Sequence, residues 1–303
     1  MADLRVNVAG VSFENPVIPA SGAFGFGHEY EKLYPLSRLG GISVKGMTRL
    51  PKAGNPPPRI AETPMGMLNS VGLQNPGIDH FIEKELPYLS GKGTRIIANV
   101  AGSTVEDCVA MAEKLEDTAV DMIELNISCP NVKQGGAAFG TSCEAAAGIT
   151  EAGRKATSKP LMVKLSPNVT NITAIAKAVE AAGADAVSLI NTLLGMRIDL
   201  NSRRPVLKNN VGGMSGPAVF PIAVRMVWQV ANAVKIPVVG MGGISSGKDA
   251  IEMMMAGASA VQVGAAIFTD PYAPLKIIDG MNRWLDDHGI ASVREIVGTV
   301  QPW

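Results

Sequence analysis

Cysteine is scarce in this 303-residue chain, which has three: Cys108, Cys129 and Cys143. An odd and sparse set excludes a disulfide framework and suits a reducing compartment. It also falls short of the four thiolates an iron–sulfur cluster needs. Neither sign of charge dominates, because 27 Lys and Arg balance 27 Asp and Glu. With no like-charged block, a nucleic-acid partner has no electrostatic support. No apolar run approaches the ~20 residues of a membrane span. The start, Met1-Ala-Asp-Leu-Arg-Val, lacks a basic-then-apolar signal pattern. A soluble, cytoplasmic protein without membrane or nucleic-acid contacts is expected. Histidine is equally rare: His28, His80 and His288 fall in loop or helical stretches. No clustered metal ligands appear, so no metal is expected and imidazole acid–base work is disfavoured.

What the chain does have is a repeated unit of strand, loop and helix. Strand patterns fall at 16–21, 41–46, 95–101, 122–128, 161–166, 186–191, 237–242 and 260–265. Helical patterns such as 104–116, 172–182, 218–234 and 248–256 separate most of them. Alternation of this kind implies parallel βαβ units, and eight in one chain of this length predict a (β/α)8 TIM barrel. Glycine–alanine joins such as Ala182-Gly-Ala-Asp-Ala186 and Ala256-Gly-Ala-Ser-Ala260 punctuate the returns from helix to strand. Val6-Asn-Val-Ala-Gly-Val-Ser-Phe13 reads as a short N-terminal β-hairpin closing the barrel's bottom. A doubly wound open sheet is the alternative. Eight equal units without a second zone of composition favour one barrel domain over residues 1–303.

Active sites of such barrels collect at the C-terminal ends of the strands. In order, those ends carry Ser21, Lys45, Asn99, Asn126, Lys164, Asn191, Gly242-Gly243 and Gly264-Ala265. The first six of these bring side chains that are all polar, and three are amides that both donate and accept, as a flat heterocycle rich in carbonyls and ring N–H groups would use. The glycines of the last two ends, with a helix following Gly240-Met-Gly-Gly-Ile-Ser-Ser-Gly247, predict a phosphate cradle. No strand–GxGxxG–helix unit is present, so a mononucleotide fits better than a dinucleotide, and FMN is the leading candidate. Two connections are long, 48–76 and 192–216, and both emerge on this face. Each is either an ordinary surface loop or a lid or docking element.

Cys129 stands apart from the other cysteines. Cys108 lies inside an apolar helical pattern and Cys143 opens a small-residue helix, so both are expected to pack. Cys129 follows the alternating strand Met122-Ile-Glu-Leu-Asn-Ile-Ser128 and precedes Pro130 and Gly135-Gly136. A thiol there is well placed to take a proton from something bound above the barrel.

The elements Asn126-Ile-Ser-Cys-Pro-Asn131, Asn69-Ser-Val-Gly-Leu73 and Lys45-Gly46, with Lys164, Asn191-Thr192 and the two glycine sites, resemble the class 1 dihydroorotate dehydrogenases over essentially the whole chain. The segment 191–205 is similar to that of the NAD-linked, heteromeric subtype, class 1B. The resemblance implies oxidation of (S)-dihydroorotate to orotate: Cys129 removes the C5 proton and the C6 hydride goes to FMN. Electrons would then pass to NAD through a partner subunit carrying FAD and a 2Fe-2S cluster, with this chain a homodimer inside a heterotetramer. It assigns the substrate to Lys45, Asn69, Ser70, Val71, Gly72, Leu73, Asn126, Asn191 and Thr192. It assigns FMN to Ser21, Lys45, Gly46, Asn99, Asn126, Lys164, Ile190, Gly216, Gly242, Gly243, Gly264 and Ala265. Residues 197–204 and the helix at 284–288 are candidate partner surfaces. Three alternatives stay open: a dihydrouracil or dihydrothymine dehydrogenase, a fumarate-linked class 1A enzyme, and a flavin-free phosphate-sugar isomerase or non-catalytic barrel.

Overall fold

The computed structural model describes residues 2–128 and 139–303. Two short strands, β1 (Val6–Val8) and β2 (Val11–Phe13), pair antiparallel as the expected hairpin. Its turn residues Ala9 and Gly10 both have positive φ, 51° and 83°, the twist that suits a two-residue hairpin loop. Phe13 is buried against the start of the second barrel strand, where a Cβ on Gly41 would lie 2.9 Å from its ring. The hairpin therefore plugs the bottom of the barrel.

All eight expected barrel strands are present: β3 (Val17–Pro19), β4 (Gly41–Ser43), β7 (Arg95–Val100), β8 (Met122–Asn126), β9 (Leu161–Lys164), β10 (Ala186–Leu189), β15 (Val238–Met241) and β16 (Ala260–Val263). They form one parallel sheet in the order β3-β16-β15-β10-β9-β8-β7-β4. The remaining seam, between β3 and β4, carries a 3.1 Å hydrogen bond from Gly40 N–H to Val17 O. Seven of the eight strands are buried at every position and β7 at all but its first, as expected for parallel strands with a packed interior and a helical coat.

Four of the coating helices begin where short polar side chains accept the first free amides. Thr104 caps Val105–Leu115, Ser142 caps Cys143–Ala156, Asn171 caps Ile172–Ala181 and Ser246 caps Gly247–Met255. Left-handed glycines end two of them. After Gly183 (φ 98°), Ala184 N–H returns to Val179 O at 3.1 Å; after Gly257 (φ 117°), Ala258 N–H returns to Met253 O at 3.2 Å. These are the glycine–alanine joins legible in the sequence.

The two long connections are not independent loops. β5 (Ile60–Thr63) and β6 (Gly66–Asn69), after β4, join β11 (Leu193–Gly195) and β14 (Gly212–Ser215), after β10, in an antiparallel sheet ordered β11-β14-β6-β5. A smaller ribbon, β12 (Ile198–Asp199) with β13 (Arg204–Pro205), projects beyond it. Because β4 and β10 lie opposite each other around the barrel, the four-stranded sheet straps across its mouth.

Candidate active site

The site is built on a charge in the barrel's centre. Successive residues of a strand face opposite sides, so Glu124 shares its inward face with Asn126. Glu124 is fully buried, and four neutral donors from four other strands surround its carboxylate. Ser43 Oγ and Asn99 Nδ2 donate to one oxygen at 2.8 and 2.5 Å; Ser188 Oγ and Gln262 Nε2 donate to the other, both at 2.8 Å. Burial would push this carboxyl up. Lys164 and the hydrogen bonds from Asn99, Ser188 and Ser43 outweigh burial and hold it below the usual carboxylate range.

Above this floor opens a cavity walled by the strand ends and the strap. Lys45, Asn126, Lys164, Ile190, Asn191 and Thr192 line one side, with Asn69, Val71, Gly72 and Leu73 descending from the strap. Lys164 is only 5% exposed and its ammonium makes no hydrogen bond or salt bridge to a described residue, yet the residue lines the cavity. Gln262 also reaches the cavity wall, and its buried Oε1 has no hydrogen-bond partner among the described residues. A cation offset only by the Glu124 charge, and an acceptor with no described partner, thus face the cavity, in a site too dry to leave the acceptor unanswered at no cost.

Much of the remaining lining is backbone or small side chains: Ser21, Gly46, Gly216, Gly242, Gly243, Gly264 and Ala265. Gly216 and Gly243 have φ of 102° and 78°, and a Cβ on Gly243 would sit 2.8 Å from Gly216 O, so the two loops touch through glycine. A Cβ on Gly264 would meet only Ala20 Cβ at 3.7 Å, so this residue leaves open space towards the cavity. The helix Gly247–Met255 contributes less than expected. Asp249 accepts from Ser245 N–H at 2.8 Å and Ser246 N–H at 2.9 Å, so an acid on the chain already occupies those amides.

Two of the expected residues do not reach the cavity wall. Asn99 lies beneath it, between Glu124 and the side chain of Asn126. Ser70 is fully buried behind the strap, with its Oγ unpartnered among the described residues. Cys129 lies outside the described residues; Ser128, just before it, is fastened by Asn126 and Asn191. The histidines lie away from the cavity wall as expected: His28 and His80 share Glu85, and His288 stacks on Trp284.

The reading of Cys143 needs correcting. Cys108 packs, and burial pushes its thiol up to about 12, whereas Cys143 is exposed at the first turn of its helix. It shares the phase of the buried stripe Ala146, Ile149, Thr150 and Gly153 but precedes that stripe by a turn. In a Cys129→Ala variant, a thiol reagent at neutral pH is expected to modify Cys143 rapidly and Cys108 only after unfolding; mass mapping would check this. Sequence reading also missed the roles of Glu124 and Gln262. A carboxylate centred in a strand between apolar neighbours was the available signal.

The model of the dihydroorotate dehydrogenase family matches residues 3–285. The chain belongs to this family. Its sequence is 56% identical over 302 residues to the "Dihydroorotate dehydrogenase B (NAD(+)), catalytic subunit" of Bacteroides thetaiotaomicron, covering 99% of this chain and 100% of that one. The protein of the same name in Alkaliphilus metalliredigens is 54% identical over 298 residues, 98% and 99% of the two chains. That of Thermoanaerobacter pseudethanolicus is 54% identical over 299 residues, 99% of each.

Proposed function

We propose that this chain is the catalytic subunit of an NAD-linked, heteromeric dihydroorotate dehydrogenase, converting (S)-dihydroorotate to orotate with FMN in the barrel mouth. The observation that carries this reading is the buried Lys164 side chain, without a described hydrogen-bond partner, facing a cavity lined elsewhere by glycine backbone. FMN fits these residues: Gly216, Gly242, Gly243, Gly264 and Ala265 leave room for a phosphate, and Lys164 and Gln262 offer a cation and an acceptor to a heteroaromatic ring. When bound, FMN supplies the two-electron acceptor.

This chain's own residues do the rest. Asn126 and Asn191 border the cavity beside Ser128, where their amides can orient a pyrimidine edge. Gly72 and Leu73, at φ of 77° and 55°, turn segment 69–73 onto the cavity, where its backbone amides can meet a carboxylate. Lys45 stands on the same wall and adds a positive charge for that carboxylate. Cys129 takes the C5 proton, made acidic by the neighbouring carbonyl. A partner subunit carrying FAD and a 2Fe-2S cluster would relay electrons to NAD. The projecting ribbon at 198–205, with Leu200 86% exposed, is a candidate docking surface for it. Among the described residues no helix is long and apolar enough to cross a membrane; we place the enzyme in the cytoplasm.

The test is anaerobic. The purified chain, loaded with FMN and mixed with dihydroorotate, should lose its visible flavin bands without a partner present. Bleaching by dihydrouracil instead would assign the uncharged ring, reoxidation by fumarate would assign the fumarate-linked kind, and failure to take up FMN would defeat the reading. Lys45→Ala should weaken orotate binding about 10–100-fold, the value of a hydrogen bond to a charged group. Titration of orotate against the loaded variant checks this, and unchanged affinity would place the carboxylate elsewhere.

A further inference from the structure

The Glu124 carboxylate makes no contact with the cavity and takes no part in the chemistry above, yet it is the most elaborately solvated group in the barrel. Its oxygens can only accept, so they dictate which end of each neighbouring amide faces them. Asn99 must present Nδ2, which leaves Oδ1 to accept from Asn126 Nδ2 at 3.3 Å. Asn126 must then present Oδ1 to Ser128, whose N–H and Oγ donate at 3.3 and 3.1 Å. Asn191 Nδ2 donates in turn to Ser128 Oγ at 2.8 Å. On the other side Gln262 presents Nε2 to Glu124, and its Oε1 is left buried and unpartnered at the cavity wall. Each amide orientation follows from its neighbour, and the series starts at the one group that cannot be reversed.

We infer that Glu124 is a positioning residue: through its four donors it fixes the amide orientations of Asn99, Asn126 and Gln262, and so sets the donor–acceptor pattern that the cavity floor shows a bound ring. Gln262 Oε1 is then held as an acceptor for a ring N–H, so the acceptor role given to Gln262 above depends on Glu124 holding its amide this way round. The inference rests on that reading only in taking FMN as the ring probed. The hydrogen-bond series itself belongs to the chain. A neutral carboxamide at 124 would have to turn an NH2 towards two of the four donors, so Glu124→Gln removes the fixed starting point while keeping side-chain volume.

The test uses the full chain with FMN as probe, followed by fluorescence titration and by the visible spectrum of the bound flavin. If the unaltered chain takes up no FMN, the functional reading fails and the positioning role is judged on ligand-free protein. There, slowly exchanging side-chain amide signals of Asn99 and Gln262 should be present and should disappear in Glu124→Gln. With FMN bound, Glu124→Gln should weaken binding at least about 10-fold and shift the flavin bands, and Glu124→Asp, which keeps the acceptor-only group, should recover part of both. Gln262→Met should shift the bands in the same sense, and the double variant should shift them little further, because the two residues act in series. Unchanged bands and affinity in Glu124→Gln would overturn the inference. So would a lower melting temperature with an unaltered bound spectrum, since that is the result of a purely structural core group. Should Glu124→Gln fail to fold, Gln262→Met decides alone, and an unshifted spectrum there has the same force.

Discussion

Replacing Cys129 by alanine is expected to leave FMN uptake intact and to slow anaerobic flavin reduction by dihydroorotate about 10²–10⁴-fold, the usual weight of a general base. Among the described residues neither a histidine nor a free carboxylate stands at the site as a competing base. The three histidines are committed to Glu85 and Trp284, and the buried carboxylate of Glu124 is saturated by four donors beneath the floor. Ser128, immediately before Cys129, is fastened at both its backbone and its hydroxyl by Asn126 and Asn191. That anchorage holds the residue before Cys129 beside Asn126 and Asn191, both of which line the cavity. The pH profile gives a second check. A free thiol titrates near ~8.5, so reduction should accelerate as pH rises towards that value and level off once the thiolate predominates. In Cys129→Ser the hydroxyl has no comparable ionisation and that plateau should vanish. Stopped-flow traces from pH 6 to 10 would show both effects, and full-speed reduction by the alanine variant would remove Cys129 from the chemistry.

The second large effect is expected at Lys164. Lys164→Met keeps an unbranched chain and deletes the charge, so packing in the barrel should survive. The FMN affinity should fall about 10–100-fold, since a hydrogen bond to a charged group is worth about 1.5–3 kcal/mol. Reduction should also slow, because the charge that builds on the ring as it accepts electrons would lose a cation held in a dry site. Equilibrium titration separates the first effect from the second, which is read at saturating FMN. An unchanged affinity would mean that the cation serves only Glu124.

The barrel strands were legible because a parallel strand buried on both faces is a short apolar run, and the helix returns are marked by glycines such as Gly183 and Gly257 that only a left-handed turn requires. The readings overshoot most strand ends by one or two residues for a physical reason. Positions such as Lys45 and Asn191 have left the ladder to face the cavity, and they keep the polar character that made them visible. The strap could not be read. β6 and β14 are four residues each, show no alternation, and meet through Asn69 and Gly213, which lie 144 residues apart. Glu124 stood out as a polar residue in its strand, but its meaning resides in partners on four other strands that only the closed sheet assembles. Cys143 was misjudged because helical phase says which side a residue faces and nothing about where the neighbouring element ends.

The strap has one more consequence. By bridging β4 and β10 it parts the rim of a single cavity into two arcs of strand ends. One is formed by β15, β16 and β3 with their glycine-rich ends; the other by β7, β8 and β9, where Asn126 and Lys164 stand and the chain runs on to Cys129. Traffic can therefore be separated by doorway. A cofactor seated with its phosphate at the glycine arc can stay berthed through many cycles, while dihydroorotate and orotate come and go past the other.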